Sequence, residues 1–107
     1  MPHLVVTWDA ARNIDRCIRF LEEKSPSAAK RAEAKIKKEI NYLKKNPRFG
    51  RYWSENKAYR ELIIPFGAGA YLALYFYDEK KDEVQIVAFR HGKENLYFSQ
   101  RNFLEKE

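Results

Sequence analysis

The stretch AYRELIIPFGAGAYLALYFYDEKKDEVQIVAFRHG, residues 58–92, decides the fold of this chain. It contains three apolar runs, residues 58–64, 70–77 and 83–89, which are separated by two turns. The first turn holds two glycines, which adopt positive φ without steric cost, and the second, DEKKD, is polar and charged. The stretch therefore predicts three consecutive antiparallel strands, a β-meander.

Alternate side chains of the middle run point to opposite faces of the predicted sheet. One face carries Leu72, Leu74 and Phe76, and the other carries Tyr71, Ala73, Tyr75 and Tyr77. We expect apolar residues from elsewhere in the chain to cover the first face. We expect the tyrosine face to meet water or a binding partner, because each ring carries a polar hydroxyl group.

Two amphipathic helices precede the meander. Residues 3–8 predict a short first strand, after which Asp9 is the expected N-cap of the first helix. Ser25-Pro26 opens the second helix, since serine caps well and proline is tolerated at the first helical position, and Asn46-Pro47 ends it. Apolar residues in both segments recur at helical spacing: Ile14, Cys17, Ile18 and Leu21, then Ala29, Ala32, Ile36, Ile40 and Leu43. The pair predicts an αα-hairpin whose apolar stripes cover the leucine face of the sheet.

Two segments show no hydrophobic period. Residues 48–57 are expected to form a loop held against the domain by Phe49, Tyr52 and Trp53. Residues 93–107 are expected to form a short C-terminal helix or tail. Residues 1–107 thus predict a single α+β domain, with an N-terminal strand and an αα-hairpin packed on an antiparallel β-meander.

The composition limits the class of protein. At 107 residues, 45% of them hydrophobic, the chain can bury one core without disulfides. The lone Cys17, the lack of a signal peptide and the lack of an apolar run of roughly 20 residues indicate a soluble cytoplasmic protein with no membrane partner. Two histidines and one cysteine stand at no metal-ligand spacing, and Gly67 and Gly69 lie in a hairpin turn rather than a phosphate-binding loop. We expect no cofactor and no metal.

Positive charge is concentrated before the sheet. Residues 10–48 hold twelve Lys/Arg and five Asp/Glu, whereas the rest of the chain holds nine and ten. This distribution indicates an anionic partner, either nucleic acid or an acidic protein, although lysines that merely solvate two helices would explain it equally well. The candidate binding residues are Lys37, Lys38 and Lys44 around the second helix, Tyr71 and Tyr75 of the sheet, and Lys93 and Glu94 after it.

The sheet and the segment after it contain a recognisable series of motifs. These are YREL (59–62), PFG (65–67), AYLALY (70–75), VQIVAF (84–89) and RHGKE (90–94), followed by Tyr97. In this order the motifs resemble the RelE/ParE family, small bacterial toxins of type II toxin–antitoxin pairs that are often labelled plasmid-stabilisation proteins. The resemblance covers nearly the whole chain.

The resemblance implies a toxin that inhibits growth and is neutralised by a small cognate antitoxin, whose flexible segment wraps around it. RelE-like members cut mRNA in the ribosomal A site, whereas ParE-like members are similar to gyrase poisons. The implied target is therefore DNA gyrase or the ribosome with its mRNA. We expect the antitoxin to lay apolar and acidic residues over the basic helices and a sheet edge, and homodimerisation stays open.

RNA cleavage by attack of a 2′-hydroxyl requires a base, cations at the phosphate and an acid for the leaving oxygen. The resemblance implies that RelE-like members supply sheet cations and a C-terminal tyrosine. Arg60, Lys93 and Tyr97 can be matched to that set, but Leu62 and Leu72 stand where further cations are expected. Loss of one preorganised donor costs on the order of a hundredfold in rate. The chain is therefore closer to the ParE branch.

A variant endoribonuclease site is the alternative hypothesis. Its candidate catalytic residues are Arg60, Arg90, His91 and Tyr97, with histidine as acid or base because it titrates near neutrality. A structural role for Arg90, His91 and Glu94 in holding the C-terminal segment stays open beside it. The third hypothesis is a non-toxic basic module that binds nucleic acid.

Overall fold

The computed structural model describes residues 1–97, which form one five-stranded sheet and a helical hairpin. The elements in chain order are β1 (His3–Val6), α1 (Trp8–Lys24), α2 (Pro26–Tyr42), β2 (Arg51–Trp53), β3 (Asn56–Phe66), β4 (Gly69–Asp78) and β5 (Glu83–His91). The strand order is β1-β5-β4-β3-β2; β1 runs parallel to β5, and every other neighbouring pair is antiparallel. The predicted α+β fold and its meander are confirmed. No helix in residues 1–97 is long and apolar enough to cross a membrane.

Side-chain caps set the ends of both helices. Thr7, not the predicted Asp9, is the N-cap of α1: its Oγ1 accepts from the N–H of Ala10 at 3.3 Å and donates to the Ile86 carbonyl at 3.0 Å. The same threonine therefore joins the start of α1 to β5. Asp9 lies in the first helical turn, where a carboxylate is favoured by the helix dipole. The predicted Ser25 cap of α2 is confirmed by its 3.2 Å hydrogen bond from the N–H of Ala28.

The prediction of a loop over residues 48–57 is wrong from Arg51 onward. β2 occupies Arg51–Trp53, and β3 begins at Asn56, which pairs with Trp53. An edge strand of three residues is too short to show an alternating pattern, so its sequence did not distinguish it from a loop.

The assignment of the two sheet faces is also wrong, because the helices cover the tyrosine face. Tyr75 is 0% exposed and Tyr71 is 5% exposed, and both pack with the apolar stripes of the helices. The hydroxyl of Tyr75 accepts a hydrogen bond of 2.7 Å from the backbone N–H of Gly50. Burial of this ring leaves no unsatisfied polar atom, which removes the reason for it to face water.

The opposite face is covered by aromatic residues. Leu72, Leu74 and Ala88 form a second buried cluster with Tyr97. The Trp53 ring packs edge-on against Tyr97, with the ring centroids 6.1 Å apart. Residues 92–97 follow β5 as an irregular turn that returns across this face, and the predicted C-terminal helix or tail otherwise lies outside the described residues.

Candidate functional site

A buried carboxylate, Glu61, lies on the sheet face opposite the helices. It is 5% exposed and is the β3 partner of Leu74. Its Oε1 accepts hydrogen bonds from Nη2 and Nε of Arg51 at 3.0 and 3.2 Å. Its Oε2 accepts from the Tyr97 hydroxyl at 2.6 Å and lies 4.0 Å from Nη2 of Arg90. The carboxylate is therefore held by two arginines and a phenol.

Tyr97 is held in this cluster as a proton donor. The ring is 1% exposed, and the guanidinium of Arg90 lies 4.9 Å from its centroid. Burial, followed by the hydrogen bond to Glu61, raises the pKa of the Tyr97 hydroxyl well above its usual range. The phenol is neutral at physiological pH and its proton points at Glu61.

The turn after β5 is tied to both layers of the domain. Arg90 Nη1 donates to the backbone carbonyl of Glu94. The Glu94 carboxylate accepts from the N–H of His91 at 2.9 Å and from Nη2 of Arg16 at 3.1 Å. These contacts hold the turn against β5 and α1, which is the structural role that the sequence left open for Arg90, His91 and Glu94.

A cleft of about 520 Å³ lies between α1 and the end of β5. Its floor is apolar and its rim is charged; the lining residues are Arg16, Cys17, Phe20, Leu21, Lys24, Tyr71, His91, Lys93 and Glu94. Nδ1 of His91 accepts a hydrogen bond from the N–H of Lys93 at 3.0 Å, so Nε2 is the ring nitrogen that is available as a donor. Burial raises the pKa of the Cys17 thiol to about 11, so the thiol is protonated and unreactive at neutral pH.

The four candidate catalytic residues do not converge. Arg60 pairs with Tyr75 of β4, and His91 pairs with Tyr71 of the same strand, so both side chains lie on the helix side of the sheet. Their two partners are four residues apart along β4. Arg60 and His91 themselves are on the strands on either side of β4, two strand spacings apart. Their Cα atoms are therefore about 16 Å apart. Arg90 pairs with Leu72 and lies on the opposite face, in contact with Tyr97.

The guanidinium of Arg60 is already engaged. Its Nη1 donates to the backbone carbonyls of Arg48 and Gly50 at 3.1 and 2.9 Å, and it stacks 4.2 Å from the centroid of Tyr52. Arg60 therefore ties β3 to the segment before β2.

The seven candidate binding residues fall into three places. Tyr71, Lys93 and Glu94 meet at the cleft, and Tyr75 lies in the core. The other three surround α2: Lys37 and Lys38 are exposed, and Lys44 is half-buried just after the helix. The buried positions of both tyrosines contradict their expected contact with a partner, except where the edge of Tyr71 reaches the cleft.

Sequence reasoning missed Glu61, Arg51 and Arg16 as site-building residues. One signal was available: a carboxylate inside the strand run YRELII is costly to bury unless it is paired. Its partners stand 10 and 36 residues away, so the pattern alone could not name them.

A comparison with known families gives a match to the family model described as the ParE toxin of type II toxin-antitoxin system, parDE, over residues 4–96. The match runs from the second residue of β1 into the turn that carries Glu94, and it therefore covers all seven elements except His3. No curated protein matches the chain. The resemblance to RelE/ParE toxins and its ParE branch are thereby confirmed. The chain belongs to the ParE toxin family of type II toxin–antitoxin systems.

Proposed function

We propose that this toxin arrests growth by binding DNA gyrase, and that it does not act by cutting RNA. The observation that supports the proposal is the separation of the four candidate catalytic residues. Arg60 and His91 are about 16 Å apart on one face of the sheet, while Arg90 and Tyr97 lie on the other face.

Cleavage of one phosphodiester requires an acid, a base and charge-stabilising donors within hydrogen-bond reach of the same phosphate. The four candidate residues cannot meet this requirement as they are placed, because they are divided between the two faces of the sheet. Tyr97 is also a poor acid, because its raised pKa and its hydrogen bond to Glu61 hold the proton in place. Binding to a protein target needs surface complementarity and requires no such convergence.

We propose that the antitoxin covers the cleft between α1 and β5. The cleft combines an apolar floor with cations on its rim, among them Lys24 and Lys93. A segment that carries an apolar anchor flanked by carboxylates complements both features. The basic surface of α2, with Lys37 and Lys38, extends the positive field toward the same acidic partner.

The free edge of β1 is the proposed second contact of the antitoxin. Val5 and Val6 are 37% and 39% exposed there, and Trp8 beside them is 78% exposed. Edge strands with exposed apolar side chains accept a further strand through backbone hydrogen bonds. An extended antitoxin segment that pairs with β1 would bury these side chains. The cytoplasm, which contains gyrase, is the proposed compartment.

Inducible expression tests the target. Cells that express the chain alone should stop growing, with broken and under-supercoiled DNA and intact transcripts. Cells that also express the cognate antitoxin should keep growing. Transcripts cut at codon boundaries with normal supercoiling would identify a ribonuclease instead, and normal growth would favour the non-toxic module.

A further inference from the structure

Three exposed aromatic rings lie around the segment that joins α2 to β3. Tyr42 is 46% exposed, and Phe49 and Tyr52 are each 59% exposed; we call these three rings the aromatic patch. Large aromatic side chains are usually buried, and several of them on one surface are typical of a binding site. The patch lies on neither the α1–β5 cleft nor the β1 edge, so the proposed toxin contacts do not use it.

Direct contacts make the patch one continuous surface. The Tyr42 and Phe49 rings meet edge to face with their centroids 5.0 Å apart. Arg60 donates to the carbonyls on either side of Phe49, at 3.1 and 2.9 Å, and its guanidinium stacks 4.2 Å from the centroid of Tyr52. Arg60 therefore joins the two halves of the patch.

Cations surround the rings. Lys45 is exposed, Lys44 is half-buried, and the side chain of Arg48 is 57% exposed. Arg48 also forms an ion pair with Glu79. Together with Arg60, which contacts this segment, the two lysines and Arg48 give four positively charged side chains beside the three rings.

We propose that the aromatic patch binds single-stranded nucleic acid. Unpaired bases stack on the open faces of Phe49 and Tyr52, and Lys45 and Arg48 contact the phosphates. Aromatic rings beside cations are typical of sites that bind single strands without sequence preference. A protein partner would be held by the same charges, but its apolar side chains would favour a groove such as the α1–β5 cleft over an open turn.

Fluorescence anisotropy with labelled oligothymidine of about 15 nucleotides, a length that spans such a site, tests the proposal on the purified full chain. We expect binding at about 50 mM salt that weakens as salt rises. Replacing both rings, Phe49→Ala with Tyr52→Ala, should weaken it at least about tenfold. Replacing both phosphate contacts, Lys45→Ala with Arg48→Ala, should make the negative slope of log K against log salt shallower by about 1.4.

Phe20→Ala is the matched control. Phe20 is also 59% exposed and also has a cation over its ring, Lys24 at 4.4 Å, but it lies on α1. Its replacement should leave oligothymidine binding unchanged, and circular dichroism should show native folding for every variant.

Several results would overturn the proposal. They are no binding at low salt, equal loss of affinity in Phe20→Ala, or full affinity without the two patch rings. Equal affinity for a duplex of the same length would show attraction to phosphates alone. Equally tight binding of a polyglutamate peptide would identify an acidic protein surface instead.

Discussion

The hydroxyl of Tyr97 donates a 2.6 Å hydrogen bond to Oε2 of Glu61, joining the last described residue to the buried middle of β3. Because Oε1 of the same carboxylate is bound by Arg51, one side chain holds both the β2 edge and the C-terminal segment in place. The covered face with Leu72 and Leu74 depends on this arrangement.

Tyr97→Phe should lower the free energy of unfolding by about 1–3 kcal/mol, because it removes the hydroxyl that satisfies a buried carboxylate oxygen and leaves the ring in place. Urea denaturation measures the change. The control Tyr42→Phe alters an exposed ring and should change stability by less than about 0.5 kcal/mol. An equal loss in both variants would show that Glu61 does not need the phenol.

Stability should fall as pH rises above about 9. Burial raises the pKa of Cys17 from 9.0 to about 11 and raises that of Tyr97 above its usual range. The unfolded chain therefore loses these protons at lower pH than the folded chain, and each such group lowers the free energy of unfolding by at most about 1.4 kcal/mol per pH unit. This contribution is complete below the unfolded pKa and is lost as pH rises toward the folded pKa.

Cys17→Ala checks the assignment of that pH dependence. Urea denaturation at several pH values between about 8 and 11 gives the free energy of unfolding of the wild type and of the variant. From about pH 9 upward this free energy should fall less steeply with pH in the variant. Identical slopes would mean that the buried thiol does not contribute.

Gly50→Ala should destabilise the domain by about 1–3 kcal/mol through overpacking. A Cβ at this position would lie 2.7 Å from Cε1 of Tyr75 and 2.8 Å from the backbone carbonyl oxygen of Glu61. At Gly69 a Cβ would make an ordinary contact, 3.5 Å from His91. Gly69→Ala should therefore change stability by less than about 0.5 kcal/mol. Thermal melting compares the two, and equal melting temperatures would contradict the packing at Gly50.

Charge reversal at the cleft should weaken antitoxin binding. Lys24→Glu with Lys93→Glu places two carboxylates on the rim that we propose meets acidic residues, and like charges oppose the complex. Calorimetric titration with the antitoxin should show at least about a tenfold loss of affinity. Lys80→Glu with Lys81→Glu, an equal change in the exposed turn before β5, is the control. Equal losses in both pairs would place the interface elsewhere.

The helices and the meander could be predicted because their signals are local. Ser25-Pro26 caps α2 through contacts within three residues, and the stripes of both helices recur at helical spacing. The faces of β4 could not be predicted, because this central strand is buried on both sides and alternation then carries no information. The burial of Tyr75 depends on the N–H of Gly50, 25 residues away in the chain.

The candidate site was predictable in part. His91, Lys93 and Glu94 were named from the motif RHGKE at the end of β5, and they do meet at the cleft. The opposite side of the cleft comes from α1, where Arg16 lies outside the apolar stripe that the sequence shows. Which cation a carboxylate such as Glu94 selects is decided by tertiary packing, which the sequence pattern does not contain.

The most direct test of the central claim is the supercoiling of relaxed plasmid by DNA gyrase in the presence of the purified toxin. Wild type and the double variant Arg60→Ala with His91→Gln should inhibit supercoiling equally, and neither should cleave ribosome-bound mRNA. Undisturbed supercoiling, together with mRNA cleavage that the double variant loses, would contradict the account.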